Sequence, residues 1–258
     1  MPVEVLSSIK VLSQPEFHAI DERVMRLVFD VHNQYGRFFD ETVYKQAIAA
    51  RYLGEGLGAV QREVCIRISH GTFTKNLFID LLFDEGVLFE AKTVETLAPA
   101  HRNQTLSYLF LAGLHHPRLV NLRPEKVQYE FVSTRLTGEA RKQFVVADEA
   151  WKKVNSESLW LKEKICEFLC DLGAFLDVSI YREGIAHFLG GVERTFRPVE
   201  VFIDNATTAS QRTYLLTDDT AFVLTAVTEG LHHMRDHQSR FLRHTRLRYV
   251  QWINFSRH

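Results

Sequence analysis

The chain has 258 residues, 46% of them hydrophobic and 24% charged, with a formal net charge of −1. That is the make-up of an ordinary globular protein, and the near-neutral balance removes any global electrostatic pull toward nucleic acid or an acidic membrane. No apolar run approaches the roughly 20 residues that span a bilayer, so no membrane partner is expected.

The N-terminal MPVEVLSSIK lacks a basic region followed by an apolar block, so no secretory signal is expected. Val24, Leu27, Val28 and Val31 fall at helical spacing within Ile20 to Tyr35, and a second helix follows over Glu41 to Leu53. Strand patterns come next at Glu63 to Ser69, Asn76 to Phe83 and Val87 to Lys92. Asp84-Glu85-Gly86 joins the last two as a hairpin turn, with glycine available for positive φ. Pro99 to Leu114 reads as a helix, and Leu119 to Leu122 and Val127 to Val132 as strands. Thr134 to Ser158 reads as a partly helical connector. Beyond it lie a helix over Leu161 to Leu172, strands at Val199 to Ile203, Tyr214 to Thr217 and Ala221 to Ala226, and a helix over Gly230 to Arg243. Cys65, Cys166 and Cys170 are the three cysteines. So few in a chain without a signal imply reduced thiols in the cytoplasm. Cys166 and Cys170 are expected as small buried hydrophobes rather than as half of a metal site.

The chain reads as if written twice. YGRFFDETVYKQAIA, from Tyr35, resembles LGAFLDVSIYREGIA, from Leu172, with Gly36/Gly173, Phe38/Phe175, Asp40/Asp177 and Tyr44/Tyr181 in matching places. VLFEAKTV lines up with FVLTAVTE, and RLVNL with QWINF, in the same order. The expected fold is therefore mixed α/β, with two tandem units that each carry a central mixed sheet flanked by helices. The units would be 1–133 and 159–258 with 134–158 between them, forming an internal pseudo-dimer compatible with a monomeric chain.

Leu77 to Lys92 reads LFIDLLFDEGVLFEAK, an apolar stretch carrying Asp80, Glu90 and Lys92. Charged groups stay out of cores unless paired or bound to metal. With the turn centred on Glu85, Asp80 lies across from Glu90, and strand alternation puts Glu90 and Lys92 on one face. Two carboxylates that close repel unless a cation sits between them, and a hard divalent ion, Mg²⁺ by default, would relieve them. An ordinary surface pair of Asp80 with Lys92 is the competing reading. Glu41 lies three residues before Tyr44, and Gln104 four before Tyr108, each pair on one helix face.

Asp80 followed by Glu90-Ala91-Lys92 resembles the D…ExK core of the PD-(D/E)XK nuclease superfamily, and Gln104 to Tyr108 resembles the QxxxY motif of its RecB-like members. With GRFFDETVY and RLVNL, the stretch from about Asp21 to Phe131 is similar to the GxxExxY protein family, a branch of that superfamily. The resemblance implies metal binding through Asp80, Glu90, the carbonyl of Ala91 and Glu41. It implies Lys92 as catalytic lysine and Gln104 as a helper at the substrate or metal. This chain has Phe38 where that family usually has glycine, and keeps Gly36.

In the second copy Glu41 falls on Val178, Asp80 near Leu215, Glu90-Ala91-Lys92 on Thr225-Ala226-Val227, and Gln104 near His237 or Ser239. The copy keeps the framework and lacks the charges. Its end is rich in arginine: Arg235, Arg240, Arg243, Arg246, Arg248 and Arg257, with Tyr249, Trp252 and Phe255 between them. Arg240, Arg243 and Arg246, with Tyr108 in the first copy, are candidate nucleic-acid contacts, while the aromatics fit a buried strand. The expected activity is Mg²⁺-dependent (Mn²⁺ as substitute) hydrolysis of nucleic acid, DNA ahead of RNA. The alternatives are a catalytically silent nucleic-acid-binding or scaffold protein on the same fold, and an enzyme acting on some other phosphodiester.

Overall fold

The computed structural model describes residues 2–136, 138–203 and 206–255, with backbone alone at 206–208. Arg257 lies outside these residues. The chain divides into two units, Met1–Ala140 and Arg141–His258, and is mixed α/β throughout.

In the first unit β1 (Val3–Val5) precedes two helices, α1 (Gln14–Tyr35) and α2 (Glu41–Gly54). Then come β2 (Val60–His70), β3 (Phe73–Phe83), β4 (Val87–Lys92), α3 (Pro99–Ala112), β5 (Pro117–Asn121) and β6 (Gln128–Phe131). The six strands form one sheet in the order β1-β2-β3-β4-β5-β6. All neighbours are antiparallel except β4 and β5, the parallel pair that α3 connects. The apolar stripe of α1 (Val24, Leu27, Val28, Val31) and Tyr44, Ile48 and Tyr52 of α2 pack on Leu81, Phe83, Phe89, Ala91 and Val120. A longer α1 than its periodicity predicts follows from its start. Ser13 and Glu16 form a capping box, with proline in the first turn.

The second unit holds α4 (Ser156–Leu172), α5 (Val178–Phe188), a short α6 (Val192–Thr195), β7 (Phe196–Ile203), β8 (Ala206–Tyr214), β9 (Thr220–Thr225), α7 (Leu231–Arg243) and β10 (Tyr249–Asn254). Its strands do not form the single central sheet expected. They make two ladders, β7 antiparallel to β8 and β9 parallel to β10. Tyr214 ends β8, so the strand expected over Tyr214 to Thr217 lies earlier, in a polar stretch (ATTASQRTY) whose apolar signal is weak. The connector is mostly irregular, with one 3-10 turn at Ala140–Lys142. From that turn Arg141 donates to the carbonyls of Leu172 (2.6 Å) and Ala174 (2.8 Å), meeting acceptors that the end of α4 leaves open. The cysteine expectation is corrected: Cys166 is half-buried and Cys170 exposed. Helix α4 buries Leu161, Ile165, Phe168 and Leu169 instead.

Two local devices occur in both units. In the first, the Tyr44 hydroxyl donates to the Gly36 carbonyl (2.6 Å) and accepts from Phe39 N–H (3.4 Å). In the second, Tyr181 donates to Gly173 (2.5 Å) and accepts from Leu176 N–H (3.3 Å). Both glycines have positive φ, +72° and +79°, where an L side chain is strained. The Asn121 side chain donates to the Val94 carbonyl (2.7 Å) and accepts from Val94 N–H (3.0 Å). Asn254 does the same to Val227, at 2.8 and 2.9 Å. Lys92 pairs with Asn121 across the parallel ladder, and Thr225 with Asn254.

Asn121 is fully buried and satisfies three backbone groups at once, the N–H and carbonyl of Val94 and the Arg123 N–H. Asn121→Leu is expected to cost about 1–3 kcal/mol of stability by leaving them unpaired, read from the midpoint of urea unfolding.

Candidate metal centre

The hairpin of β3 and β4 pairs Phe83 with Val87, Leu82 with Leu88 and Leu81 with Phe89, and the ladder stops there. That register is the one centred on Glu85, so continuing it would set Asp80 opposite Glu90. The strands part instead. Asp80 Oδ2 accepts the Ala91 N–H at 2.8 Å, so a side-chain oxygen replaces the missing backbone acceptor. Ala91 packs into the core under α1 and α2, which turns its neighbours Glu90 and Lys92 away from that core.

The competing surface-pair reading, Asp80 with Lys92, does not hold. Asp80 is 6% exposed and Glu90 1%. Lys92 Nζ donates to Glu90 Oε1 at 2.7 Å, and Asp80 Oδ1 is taken by Lys45 Nζ of α2, also at 2.7 Å. Lys45 further bonds Glu63 Oε1 at 2.6 Å and lies 3.5 Å from Glu41 Oε1, one helical turn before it. Glu63 stands between Arg62 and Val64, which pair with Leu81 and Ile79, so it faces Asp80 across the β2–β3 ladder. Its φ of +50° is left-handed, a state that costs an L residue roughly 1–2 kcal/mol.

These charges act on one another. Burial pushes the Glu90 carboxyl up to about 8, with the charges of Asp80 and Glu41 adding to it and Lys92 opposing. Burial likewise raises Glu41, with Asp80 next. Burial alone would lower both lysines. The bonds to Asp80 and Glu63 outweigh it for Lys45, and the charge and bond of Glu90 do so for Lys92, so both stay above the ordinary lysine value. Glu90 Oε2 is buried and has no hydrogen-bond donor. An orphaned carboxylate oxygen beside further hard oxygen donors fits a divalent cation such as Mg²⁺ or Mn²⁺. Among the described residues no three His, Cys, Asp or Glu side chains are arranged to hold an ion by themselves. Lys45 and Lys92 are interposed between the carboxylates.

Asp80, Glu41, Glu90 and Lys92 thus come together as the sequence predicts. Lys45 and Glu63 join them without a sequence signal. Gln104 donates to the Tyr108 hydroxyl at 2.7 Å, so the QxxxY pair bonds internally. Its helix α3 reaches the site through His101, whose pKa is lowered by burial and then by the Lys92 charge. Phe38, in place of the family's glycine, is 81% exposed. Gly36 supplies the positive φ of that turn and Asp40 precedes α2, so Glu41 opens the helix.

In the second unit the strand pairing corrects the alignment. Thr225 faces Asn254 as Lys92 faces Asn121. Within the expected repeat, that pairing matches Val223-Leu224-Thr225, not Thr225-Ala226-Val227, to Glu90-Ala91-Lys92. Leu215 bridges Ala221 as Leu82 pairs Leu88, which puts Thr213 rather than Leu215 at the place of Asp80. The sequence alignment followed residue likeness two residues out of step, although the spans from Leu82 to Asn121 and from Leu215 to Asn254 are equal. No carboxylate occupies either place. Thr225 instead accepts from the Trp252 indole at 2.8 Å, and Phe255 stacks on Tyr181 at 4.9 Å, so these aromatics are structural. Helix α7 buries no residue and exposes Arg235, Arg240 and Arg243. Arg246 pairs with Glu200 (3.3 Å) and lies over the Phe202 ring.

Residues 18–133 match the family model of the PD-(D/E)XK nuclease superfamily. None of the curated proteins matches the chain. Among solved structures, one titled "Crystal structure of SSO0001" is 18% identical, over 50% of this chain and 81% of that one, with a TM-score of 0.25. That score supports no inference about this chain. No helix among the described residues is long and apolar enough to cross a membrane.

Removing Asp80 would leave the Ala91 N–H without its acceptor in a buried place, while Lys45 keeps Glu63 and Glu41. Asp80→Ala is therefore expected to lose about 1–3 kcal/mol of stability, measured by urea unfolding of the metal-free protein.

Proposed function

We propose that the first unit is a divalent-metal-dependent nuclease that hydrolyses phosphodiester bonds of nucleic acid, with DNA the expected substrate. One observation carries this reading: the buried oxygen of Glu90 that no donor satisfies, beside Lys92 and close to Asp80 and Glu41. Asp80, Glu90, Glu41 and the Ala91 carbonyl would hold the ion. When bound, it supplies charge neutralisation at the phosphate and lowers the pKa of a water.

The remaining work falls to the chain itself. Lys92, half-released into the site by its strand and held by Glu90, presents an ammonium to the negative charge that develops on the phosphoryl oxygens. Gln104 and Tyr108, fixed by their mutual bond on α3, present polar groups for substrate placement. Glu90 is almost fully buried, and the exclusion of water there strengthens each of these interactions. Placement within the GxxExxY branch is part of the same proposal and rests on GRFFDETVY, where Tyr44 clasps the Gly36 turn that delivers Glu41.

The second unit is read as a copy of the first that has lost its chemistry. The recurring tyrosine and asparagine devices, and the matching order of helices and strands, support this. Arg240 and Arg243 on the exposed face of α7 are proposed phosphate contacts, with Arg246 a weaker candidate because Glu200 already engages it. A silent binding role thus finds its support in the second unit.

Labelled single-stranded DNA, duplex DNA and RNA, incubated with Mg²⁺ or Mn²⁺ and with chelator, test the proposal. Metal-dependent cleavage is expected, falling at least about 100-fold in Lys92→Ala. Absence of both cleavage and metal binding would reassign the chain to the silent binder. The double variant Arg240→Ala/Arg243→Ala is expected to weaken nucleic-acid affinity and flatten its salt dependence, as read by fluorescence anisotropy.

A further inference from the structure

Lys45 is the residue at this site that the metal reading does not use. Its ammonium has three donors, and three carboxylates surround it: Asp80 at 2.7 Å, Glu63 at 2.6 Å and Glu41 at 3.5 Å. The residue is 8% exposed. A lysine so deeply set is held by packing as well as by charge, and cannot leave as a solvated ion can.

Two features favour a cation where Lys45 stands. Glu63 lies between residues that pair with the neighbours of Asp80 across β2 and β3, and like charges facing each other destabilise a sheet unless something bridges them. Glu63 also keeps a left-handed backbone there, which its neighbours must hold in place. The Lys45 ammonium is the bridge. Sites that cleave phosphodiesters with two ions set them about 3.5–4 Å apart, so that carboxylates are shared between them. Here each Asp80 oxygen already carries one donor, Lys45 or the Ala91 N–H, and keeps one lone pair for an ion, whereas Glu90 Oε2 carries none. With all four carboxylates ionised, as ion binding would require, Glu41, Glu63, Asp80 and Glu90 oppose Lys45 and Lys92, and the surplus of negative charge equals that of one divalent ion.

We propose that the Lys45 ammonium fills one of the cation positions of the site, so that the site accepts a single divalent ion, bound from the Glu90 side. This inference rests on the metal-site reading above. Lys45 is then a positioning residue: it fixes Asp80 and Glu63 without touching substrate. Its permanence also means that the charge beside Asp80 does not vary with metal concentration.

Calorimetric titration of the full chain with Mn²⁺ tests this without recourse to activity. Wild type is expected to bind a single ion. Lys45→Met, which keeps the length and drops the charge, is expected to bind a second, and Lys45→Arg to stay at one. Circular dichroism checks folding. Should Lys45→Met fail to fold, Lys45→Gln, which keeps a donor for Asp80, carries the same expectation. Two ions in wild type, or a folded neutral variant with the stoichiometry and affinity of wild type, would overturn the inference and leave the metal-site reading standing. No binding by any of the proteins would overturn both.

Discussion

A carboxylate inside a sheet must find donors, and Asp80 finds them where the ladder between its strand and β4 ends. Where β3 and β4 would continue, Asp80 takes the Ala91 N–H and Lys45 takes Asp80. The gap between the strands is what lets Glu90 and Lys92 sit side by side off the core. The core under α1 and α2 holds that gap open, because Ala91, Phe89 and Leu81 are clamped in it. Site geometry and sheet geometry are therefore one constraint. A buried ion network of this kind adds little net stability when intact and costs much when broken. It persists for its arrangement.

The arrangement explains why the helices matter to the chemistry. Tyr44 and Lys45 are adjacent on α2 but serve different ends. Tyr44 closes the Gly36 turn and sets where the helix begins, and Lys45 ties that helix to β2 and β3. Glu41, in the first turn of the same helix, is thereby held within reach of Lys45 and of the charges of Asp80 and Lys92. A shift of α2 along its axis would separate all three groups.

Much of this was legible from residues alone. The turn at Asp84-Glu85-Gly86 specifies the register that brings Asp80 near Glu90; alternation alone does not, because Leu81, Leu82, Phe83, Val87, Leu88 and Phe89 bury both faces. Lys45 and Glu63 were not legible. Each meets Asp80 from a separate element, and Glu63 does so through a left-handed residue that no propensity favours. Strand β8 was missed because ATTASQRTY has little apolar alternation. The second unit was aligned by residue likeness, while pairing with β10 sets the true correspondence. Burial of Cys170 was expected from its type, but its place on α4 faces outward.

The neutrality of the second unit has a consequence for how such a chain can change. Either lysine removed from the first site leaves its carboxylate partners uncompensated, so such single steps toward neutrality cost stability. Substitutions must arrive nearly together, or on a copy whose failure is tolerated. The positions of Asp80, Glu90 and Lys92 are answered there by Thr213, Val223 and Thr225, and Arg182, next to Tyr181 as Lys45 is next to Tyr44, lies over the Tyr214 ring at 5.3 Å. On the proposed reading of the second unit as a copy, duplication gives a lineage the freedom to cross that barrier, and an ion network which resists gradual erosion is then lost as a block.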